Sequence, residues 1–538
     1  MKPRIFGIET EYGLTAKVGP SWGLESETAF NIIRHLFETI DLRNTNRFLE
    51  NGARLYLDGG DHPEYATPEC DDVMELVAHD KAGERILEER LRRAEQRLDE
   101  EGTPVSIRLF KNNADSAGNY YGCHENYLVK RDVDFARLST ALVPFLVTRQ
   151  VFAGAGKVYQ TCDGIEYCLS QRGQRPVFES AATPYPVIDT RDEPLADATR
   201  YRRLHVVIGD ANMSEVATYL KVGTTALLLD MVEDGVFGPD LTLQSATSAI
   251  HDISGDSMLR KTVTLRDGRR FTALELQMEY LEQATRYVGS IGASATVRDL
   301  LCRWGDVLSK LAADPMQLER QVDWVTKRAL MEKFIGRHQL SWQDPKVGLL
   351  DLQYHDLRRE GGIYARLVSR GAVDRMVADH AIVDAQRNPP RTTRARLRGD
   401  FIRNANLSGT KCQVDWTYIK LAEDPEQQAV SCSDPFRAFD ERVESLVRRM
   451  HLKAGLREVE GARDGEPALA ALPERADRRG QSDEVEAAGR GTSDDYEPAP
   501  VTSAAAGGTP MPPSSRPSAR CGSVSLDGHF PVGIEPRS

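Results

Sequence analysis

The segment GIETEYGLT, residues 7–15, places Glu9 and Glu11 two positions apart in a stretch that is typical of a β-strand. Because successive side chains of a strand point to opposite faces, these glutamates project to one side, and Ile8, Thr10 and Tyr12 project to the other. Two neighbouring carboxylates repel each other, and a divalent cation that prefers oxygen ligands relieves the repulsion. The segment therefore predicts a magnesium site. The alternative is a half-exposed edge strand with solvated acids.

A second polar row follows in NGARLYLDGGDHPEYATPEC, residues 51–70. On a strand, Arg54, Tyr56 and Asp58 share one face, while the alanine and leucines between them share the other. Core packing explains the apolar face but does not explain a cation, a phenol and a carboxylate in a row. We therefore assign this row to a functional site. His62, which precedes a proline, is interpreted as a turn histidine.

Three further segments carry polar residues whose role the sequence leaves open. The loop FKNNADSAGNYYGCHENYLV, residues 110–129, either orients a ligand through its amides and glycines or is a polar surface loop. In YRRLHVVIGD, His205 shares a strand face with Arg203, and it either contacts a metal or phosphate or is a structural histidine. Alternating arginines in RTTRARLRG form a guanidinium row for phosphate if the segment is a strand, and are solvated charges otherwise. These arginines are Arg394, Arg396 and Arg398.

The order of the predicted elements indicates an α+β fold around an antiparallel sheet. Strands are predicted near residues 4–14, 53–58, 105–113 and 204–212. Helices are predicted over residues 71–100, with Gly83 able to break the helix, and over 214–235, with Ser214 as the N-cap. Most of residues 270–335 is also predicted to be helical, and a proline pair at 389–390 then marks a break.

Composition separates a folded part from a C-terminal tail. From Gly455 to Ser538, 84 residues contain 10 of the 27 prolines and only two aromatic residues. Such a segment buries too little apolar surface to offset the entropy lost on ordering, so we predict that it is disordered.

Composition and pattern also exclude several classes of protein. The net charge of −12 argues against a general nucleic-acid binder. No run of 18 apolar residues and no stretch of signal-peptide length are found, so we expect a cytoplasmic protein that does not span a membrane. The eight cysteines include no CxxC pair, which argues against a zinc ribbon. Neither GxGxxG nor GxxxxGK[ST] occurs, so any ATP site lies outside the Rossmann and P-loop schemes.

Taken in order, seven segments resemble the Pup ligase and Pup deamidase/depupylase family, and the resemblance runs from residue 4 to about 450. They are GIETEYG, NGARLYLDGGDHPEYATPEC, LFKNNADSAGNYYGCHENYL, TRDEP, YRRLHVVIGDAN, TTRARLRG and VDW. The resemblance implies a glutamine-synthetase-like fold, in which a curved antiparallel sheet binds ATP and Mg²⁺. We accordingly expect a catalytic domain over residues 1–400, a small C-terminal domain over 401–454 and the disordered tail over 455–538.

Two activities occur in this family. One member type is a ligase that activates the C-terminal glutamate of the modifier Pup with ATP. It passes through a γ-glutamyl phosphate, joins Pup to lysines of substrate proteins and so tags them for the proteasome. The other is a deamidase/depupylase, which carries a long insertion after the first strand. Here only 37 residues, 14–50, separate Gly13 from Asn51, which favours the ligase. The segment LSWQDPKVGLLDLQYHD resembles the deamidase instead, and a catalytically silent Pup-binding scaffold is a further alternative.

The resemblance also implies roles for single residues. Magnesium is assigned to Glu9, Tyr56 and Glu64, with Glu11 and His205 as further candidates. Nucleotide contacts are assigned to Arg54, Thr67 and Trp416. Asp58 matches the catalytic aspartate, which takes a proton from the substrate lysine because only the free amine is a nucleophile.

Overall fold

The computed structural model describes residues 2–454, apart from short internal gaps. The gaps are 19–20, 23–25, 40–44, 59, 116–118, 162–163, 174–186, 192–194, 237 and 423–428. The tail over residues 455–538, predicted to be disordered, lies outside the described residues. Among the helices of the described part, none combines the length and the apolar character needed to cross a membrane.

Strands and helices alternate irregularly along the chain. The strands are β1 Phe6–Glu11, β2 Gly13–Val18, β3 Ser21–Trp22, β4 Arg47–Phe48, β5 Arg54–Leu57, β6 Pro63–Ala66, β7 Val105–Phe110, β8 Cys123–Lys130, β9 Lys157–Thr161, β10 Gly164–Cys168, β11 Ile188–Arg191, β12 Tyr201–Val206, β13 Thr262–Thr264, β14 Arg270–Thr272, β15 Cys412–Val414, β16 Tyr418–Leu421 and β17 Val430–Ser431. The helices are α1 Ser26–Leu36, α2 Val73–Glu100, α3 Phe135–Thr148, α4 Gln150–Ala153, α5 Glu215–Glu233, α6 Ala246–Ser254, α7 Ala273–Ile291, α8 Ala295–Ala313, α9 Asp323–His338, α10 Pro345–Gln353, α11 Ile363–Ser369, α12 Asp379–Ala385, α13 Ala395–Ser408 and α14 Glu441–Ala454, with a 3-10 helix at Pro315–Leu318.

The largest sheet of the described residues has seven strands in the order β11-β12-β8-β1-β6-β5-β4. Every neighbouring pair is antiparallel, so the predicted α+β class with an antiparallel sheet is confirmed. Strand β1 pairs with β6 on one side and β8 on the other, so the alternative of an edge strand is wrong. Along β1, Phe6, Ile8 and Thr10 are buried, while Glu9 and Glu11 are partly exposed, as the alternation predicts.

Helices cover the apolar face of this sheet. Phe6 and Ile8 of β1 belong to a large core together with residues of α2, α3, α5, α7 and α8. A smaller core contains Tyr12, Leu55 and Ile107 and lies where α1 and α2 pack near the sheet β3-β2-β7. Because helices occupy the apolar face, the polar side chains of β1 and β5 share the opposite face of the sheet.

Helix α2 is continuous over 28 residues, so the break expected at Gly83 is wrong. A Cβ atom on Gly83 would collide with the ring of Tyr65 on β6. The glycine therefore serves the close approach of an aromatic ring, and the neighbouring turns of α2 offset its low helix propensity.

Several local predictions are confirmed. The Ser214 side chain accepts a hydrogen bond from the backbone N–H of Ala217, so it caps α5 as expected. Residues 270–335 fold mainly into α7, α8 and α9. The predicted strands are β1, β5, β7 and β12, although β12 spans Tyr201–Val206, so the prediction was wrong for residues 207–212.

Neither alternative for RTTRARLRG holds for all three arginines, because Ala395–Ser408 forms helix α13 and of the three only Arg396 is exposed. A helix places residues four apart on one face, so Arg394 and Arg398 point the same way and Arg396 does not. Arg394 and Arg398 are buried against Glu69, whereas Arg396 lies 3.5 Å from Asp400 at the surface.

A separate apolar cluster joins α13, α14 and the sheet β15-β16-β17, and it includes Phe48 of β4. Helix α13 passes through residue 400, where the boundary between two domains is predicted. The boundary stays a prediction.

Candidate active site

Strand register builds the polar face of the large sheet. Tyr56 lies opposite Glu64, and Glu64 lies opposite Glu11, so these three side chains form one row across β5, β6 and β1. The neighbouring row runs from Arg54 through Ala66 and Glu9 to His124. Ala66 is small, so it leaves room between the arginine and the glutamate.

A second acidic group lies at the hairpin between β5 and β6. Oδ1 of Asp58 accepts hydrogen bonds from the backbone N–H groups of Gly60 and His62, at 2.8 and 2.7 Å. Nδ1 of His62 lies 3.2 Å from Oδ2 of Asp58 and 3.6 Å from Oε2 of Glu11. The two carboxylates raise the pKa of His62 to about 9. Although burial works the other way, the hydrogen bonds from His62 lower the pKa of Asp58, which is therefore ionised.

Gly122 makes room for the Glu11 carboxylate. Its backbone N–H donates to Oε2 of Glu11 at 2.6 Å. A Cβ atom at this position would lie 2.5 Å from Oε1 of Glu11 and 2.8 Å from Cε1 of His124. Any larger residue would therefore displace the carboxylate or the imidazole.

Basic side chains surround Glu9. Nδ1 of His124 and Nη1 of Arg203 each lie 3.7 Å from its carboxylate oxygens. The His205 ring lies edge-on to His124, with 4.7 Å between the ring centroids, and its Nδ1 is 3.0 Å from Oδ1 of Asn126. Although burial opposes ionisation, the interactions with His124, His205 and Arg203 hold the pKa of Glu9 well below its ordinary value. Glu9 is therefore ionised.

Glu64 behaves differently from Glu9. It is buried, and burial together with the charge of Glu9 holds its pKa well above the ordinary value. Burial and the charges of Glu64 and Glu9 raise the pKa of Tyr56 as well, so the phenol keeps its proton. The two neighbouring rows thus combine Glu9, which ionises readily, with Glu64, which resists ionisation without a nearby cation.

This donor set fits a divalent cation. Two groups of three side chains bring their ligand atoms within 4.8 Å of one another: Glu9 with His124 and His205, and Glu11 with Asp58 and His62. Burial and the charge of Glu9 raise the pKa of Glu64, and a cation with oxygen ligands would favour its ionised form. The imidazoles beside Glu9 also suit softer metals than magnesium.

The residues assigned to the nucleotide lie around one end of this face. The Arg54 guanidinium lies over the Tyr56 ring, 4.0 Å from its centroid. Phe48 is directly opposite Arg54 in the sheet, and the Trp416 ring packs edge-on against Phe48 with 5.1 Å between centroids. The buried Thr67 hydroxyl accepts a hydrogen bond from the N–H of Ile8 at 3.0 Å, so its own proton is free to be donated.

Parts of the loop over residues 110–129 lie away from the site. Lys111 is buried against Asp80, at 2.7 Å, and Glu84, at 2.8 Å. Glu125 is fully buried on the opposite face, where it pairs with Arg149. These polar residues satisfy one another inside the fold.

Sequence reasoning did not place His62 in the site, and it left open whether the 110–129 loop, which contains Gly122 and His124, contacts a ligand. His62 was interpreted as a turn histidine, but Leu57 pairs with Pro63, and this hairpin brings position 62 next to Asp58. The glycine pair between Asp58 and His62 was the available signal. His124 and Gly122 gave no comparable signal, because their place depends on the pairing of β8 with β1.

The chain resembles proteins of one family. A family model described as Pup-ligase protein matches residues 4–420. The Pup–protein ligase of Actinosynnema mirum is 49% identical over 453 residues, which cover 83% of this chain and 99% of the relative. That of Kineococcus radiotolerans is 49% identical over 457 residues, covering 84% and 100%.

Two solved structures are also similar. The complex between the prokaryotic ubiquitin-like protein Pup and its ligase PafA aligns with a TM-score of 0.80 and 40% identity, over 84% of this chain and 92% of the other. The Pup ligase PafA in complex with ADP aligns with a TM-score of 0.73 and 38% identity, over 81% and 97%.

Proposed function

This chain belongs to the Pup-ligase protein family, and from that premise we propose that it is an ATP-dependent ligase that joins Pup to lysine side chains of other proteins. The single observation that carries the proposal is the polar face on which Asp58, Glu64 and Glu9 lie beside Arg54. Relatives that this chain covers over nearly their full length are named as ligases, which supports bond formation over depupylation. We place the reaction in the cytoplasm, where ATP is available.

The residue roles form part of this proposal. Glu9, Tyr56 and Glu64 would hold Mg²⁺, which when bound neutralises phosphate charge. Arg54, Thr67 and Trp416 would bind the nucleotide. For Arg54 and Trp416 the support is that both are neighbours of Phe48. Phe48 lies opposite Arg54 in the sheet and packs against the Trp416 ring. We also propose that residues 401–454 act as a small C-terminal domain beside a catalytic domain over 1–400.

Two steps follow from these roles. In the first, an oxygen of the Pup glutamate γ-carboxylate attacks the γ-phosphorus of ATP, and ADP leaves. Arg54 contributes fixed positive charge at this end of the sheet, which favours the charge that develops on the phosphoryl group. The product is a γ-glutamyl phosphate.

In the second step, the lysine amine attacks the acyl carbon and phosphate leaves. Asp58 would accept the proton that the lysine ammonium must lose. Asp58 suits this role because its carboxylate is ionised and partly exposed, so it can accept a proton from a lysine bound beside it. Hydrogen bonds from Gly60 and His62 hold Oδ1 of Asp58, which leaves Oδ2 beside the imidazole.

The test is a conjugation assay with purified protein, ATP, Mg²⁺, Pup ending in glutamate and a lysine-bearing protein. A covalent adduct is expected, identified by mass spectrometry as an isopeptide between the glutamate γ-carboxyl and a lysine. Pup ending in glutamine is the matched control, since its amide cannot form the acyl phosphate. Release of Pup from a preformed conjugate, with no adduct under any of these conditions, would identify a depupylase and overturn the proposal.

A further inference from the structure

Glu69 is buried between two arginines of helix α13. Its Oε1 accepts a hydrogen bond from Nε of Arg394 at 2.8 Å, and its Oε2 is paired with Nη2 of Arg398. All three residues are less than a tenth exposed. Two guanidinium groups are thus buried against one carboxylate. Glu69 is distant in the sequence from both arginines.

The Arg398 guanidinium is held on every side. Its Nε and Nη2 donate to the carbonyl oxygen of Gly52, at 3.1 and 2.9 Å. Its carbon Cζ lies 4.7 Å from the centroid of the Trp416 ring and 5.1 Å from that of Phe48. A planar, delocalised cation suits this position, because its edge forms hydrogen bonds while its face stacks on aromatic rings.

The same contacts connect α13 to the start of β5. Gly52 has a positive φ of 79°, and a Cβ atom there would lie 3.0 Å from the carbonyl oxygen of Ala395. A Cβ atom on Gly399 would collide with the carbonyl oxygen of Glu50. Helix α13 therefore packs directly on the turn that precedes Arg54, and Arg398 reaches from this contact to the Trp416 ring.

We propose that Arg398 is a positioning residue that holds the Trp416 ring in the orientation that receives the nucleotide, and that Glu69 holds Arg398 in place. The proposal rests on the assignment of Trp416 to the nucleotide made above. Arg398 acts through the tryptophan, and its contacts with Glu69 and Gly52 couple that ring to the sheet that carries the catalytic carboxylates.

The test compares nucleotide binding with Pup binding in Arg398→Lys, in the full-length protein. Lysine keeps the positive charge, but it lacks the planar face of the guanidinium group and its several fixed N–H donors. We expect the dissociation constant for ADP and the KM for ATP to rise roughly tenfold, because one cation–π contact is lost. The KM for Pup should change less than twofold. Arg396→Lys is the matched control. Arg396 is on the same helix, and among the described residues its side chain forms an ion pair with Asp400. It should leave all three constants unchanged.

A double-variant cycle separates positioning from general destabilisation. If Arg398 acts through Trp416, Arg398→Lys combined with Trp416→Ala should bind ADP no more weakly than Trp416→Ala alone. If the losses add, the proposal is overturned. Should Arg398→Lys fail to fold, Glu69→Gln replaces it, because it removes the ion pair that holds Arg398 and leaves Phe48 and Trp416 unchanged.

The outcomes also separate this proposal from the proposed function. If Trp416→Ala weakens ADP binding and Arg398→Lys does not, the positioning role alone is overturned. If Trp416→Ala leaves ADP binding unchanged, the assignment of Trp416 is overturned and the positioning role with it. Conjugation of Pup in the wild-type protein tests the ligase activity independently of both.

Discussion

The Asp58 carboxylate and the His62 imidazole face each other across the β5–β6 hairpin, with Oδ2 and Nδ1 3.2 Å apart. The backbone N–H of His62 also donates to Oδ1 of the same aspartate at 2.7 Å. Asp58 is thus held in place and ionised by a residue only four positions away. Because it is ionised and fixed in position, this carboxylate can accept a proton from an amine placed directly beside it.

Replacement of Asp58 tests this role directly. Asp58→Asn removes the proton acceptor but keeps the size of the side chain, so we expect conjugation to fall by a factor of about 100 or more. ADP binding should stay within about twofold of the wild type. The two are measured by a gel assay of Pup adducts and by titration calorimetry. Asp61→Asn is the control, since Asp61 is an exposed aspartate of the same turn. A loss of ADP affinity as large as the loss of activity would contradict the role.

Metal binding should be coupled to proton release at Glu64. The pKa of Glu64 is raised by burial and by Glu9, so the metal-free protein holds a proton there more readily than an ordinary glutamate. A cation needs the ionised form, so Mg²⁺ affinity should increase with pH and binding should release a proton. Calorimetry in two buffers of different ionisation enthalpy measures that release. Glu64→Gln should bind Mg²⁺ more weakly and release no proton, and the surface variant Glu100→Gln should behave as the wild type. Equal proton release by Glu64→Gln and the wild type would exclude Glu64 as the source.

Conjugation activity should not tolerate a side chain at position 122, although the fold should tolerate one. Gly122→Ala would push the Glu11 carboxylate or the His124 ring out of place, and a displacement of that size costs about 100-fold in rate. We expect conjugation to fall by roughly this factor, while the melting temperature shifts by no more than a few degrees. Gly289→Ala is the control, because a Cβ atom there meets nothing within 4 Å. Full activity of Gly122→Ala would show that Glu11 needs no such room.

Gly83 should matter for stability. Gly83→Ala brings a methyl group into the Tyr65 ring, and overpacking of a buried contact costs roughly 1–3 kcal/mol. Alanine is otherwise the better helix former, so Gly289→Ala on α7 should be stabilising by up to about 1 kcal/mol. Urea unfolding measures both free energies. A stabilising Gly83→Ala would mean that the ring of Tyr65 moves aside without cost.

Acid should weaken the contact between α13 and Glu69, which follows β6. Although burial opposes ionisation, Arg398 and Arg394 lower the pKa of Glu69 from 4.5 to about 2. The pKa is lower in the folded state, so its contribution, about 3 kcal/mol, is present above pH 4.5 and is lost as the pH falls toward 2. In urea unfolding, the stability difference between wild type and Glu69→Gln should shrink over this range.

Two results would show whether Glu69 is responsible. Glu50→Gln removes a surface carboxylate that lies 3.5 Å from Arg403, and its effect should be small at every pH. A difference between wild type and Glu69→Gln that is constant from pH 4.5 to 2 would rule out Glu69 as the titrating group.

Much of the site was predictable from the sequence where a local pattern is sufficient. Alternation placed Glu9 and Glu11 on one face of β1 and Arg54 and Tyr56 on one face of β5, and the structure has them there. The sequence left RTTRARLRG open, because alternating arginines do not by themselves decide between a strand and another structure. The helix forms because its apolar residues Phe401 and Ile402 pack in the apolar cluster of α13, α14 and the sheet β15-β16-β17. Arg394 and Arg398 then form ion pairs with Glu69.

By itself the sequence determined which side chains of each strand share a face, because the two-residue period of a strand is a property of the local backbone. It also determined the cap of α5, since the capping hydrogen bond from the N–H of Ala217 to the Ser214 hydroxyl lies within that helix. Only the tertiary structure decided that β1 lies between β6 and β8, and so that His124 and Arg203 surround Glu9. It likewise decided that Arg398 lies against Trp416. These contacts join residues distant in the chain, and they depend on which surfaces pack together.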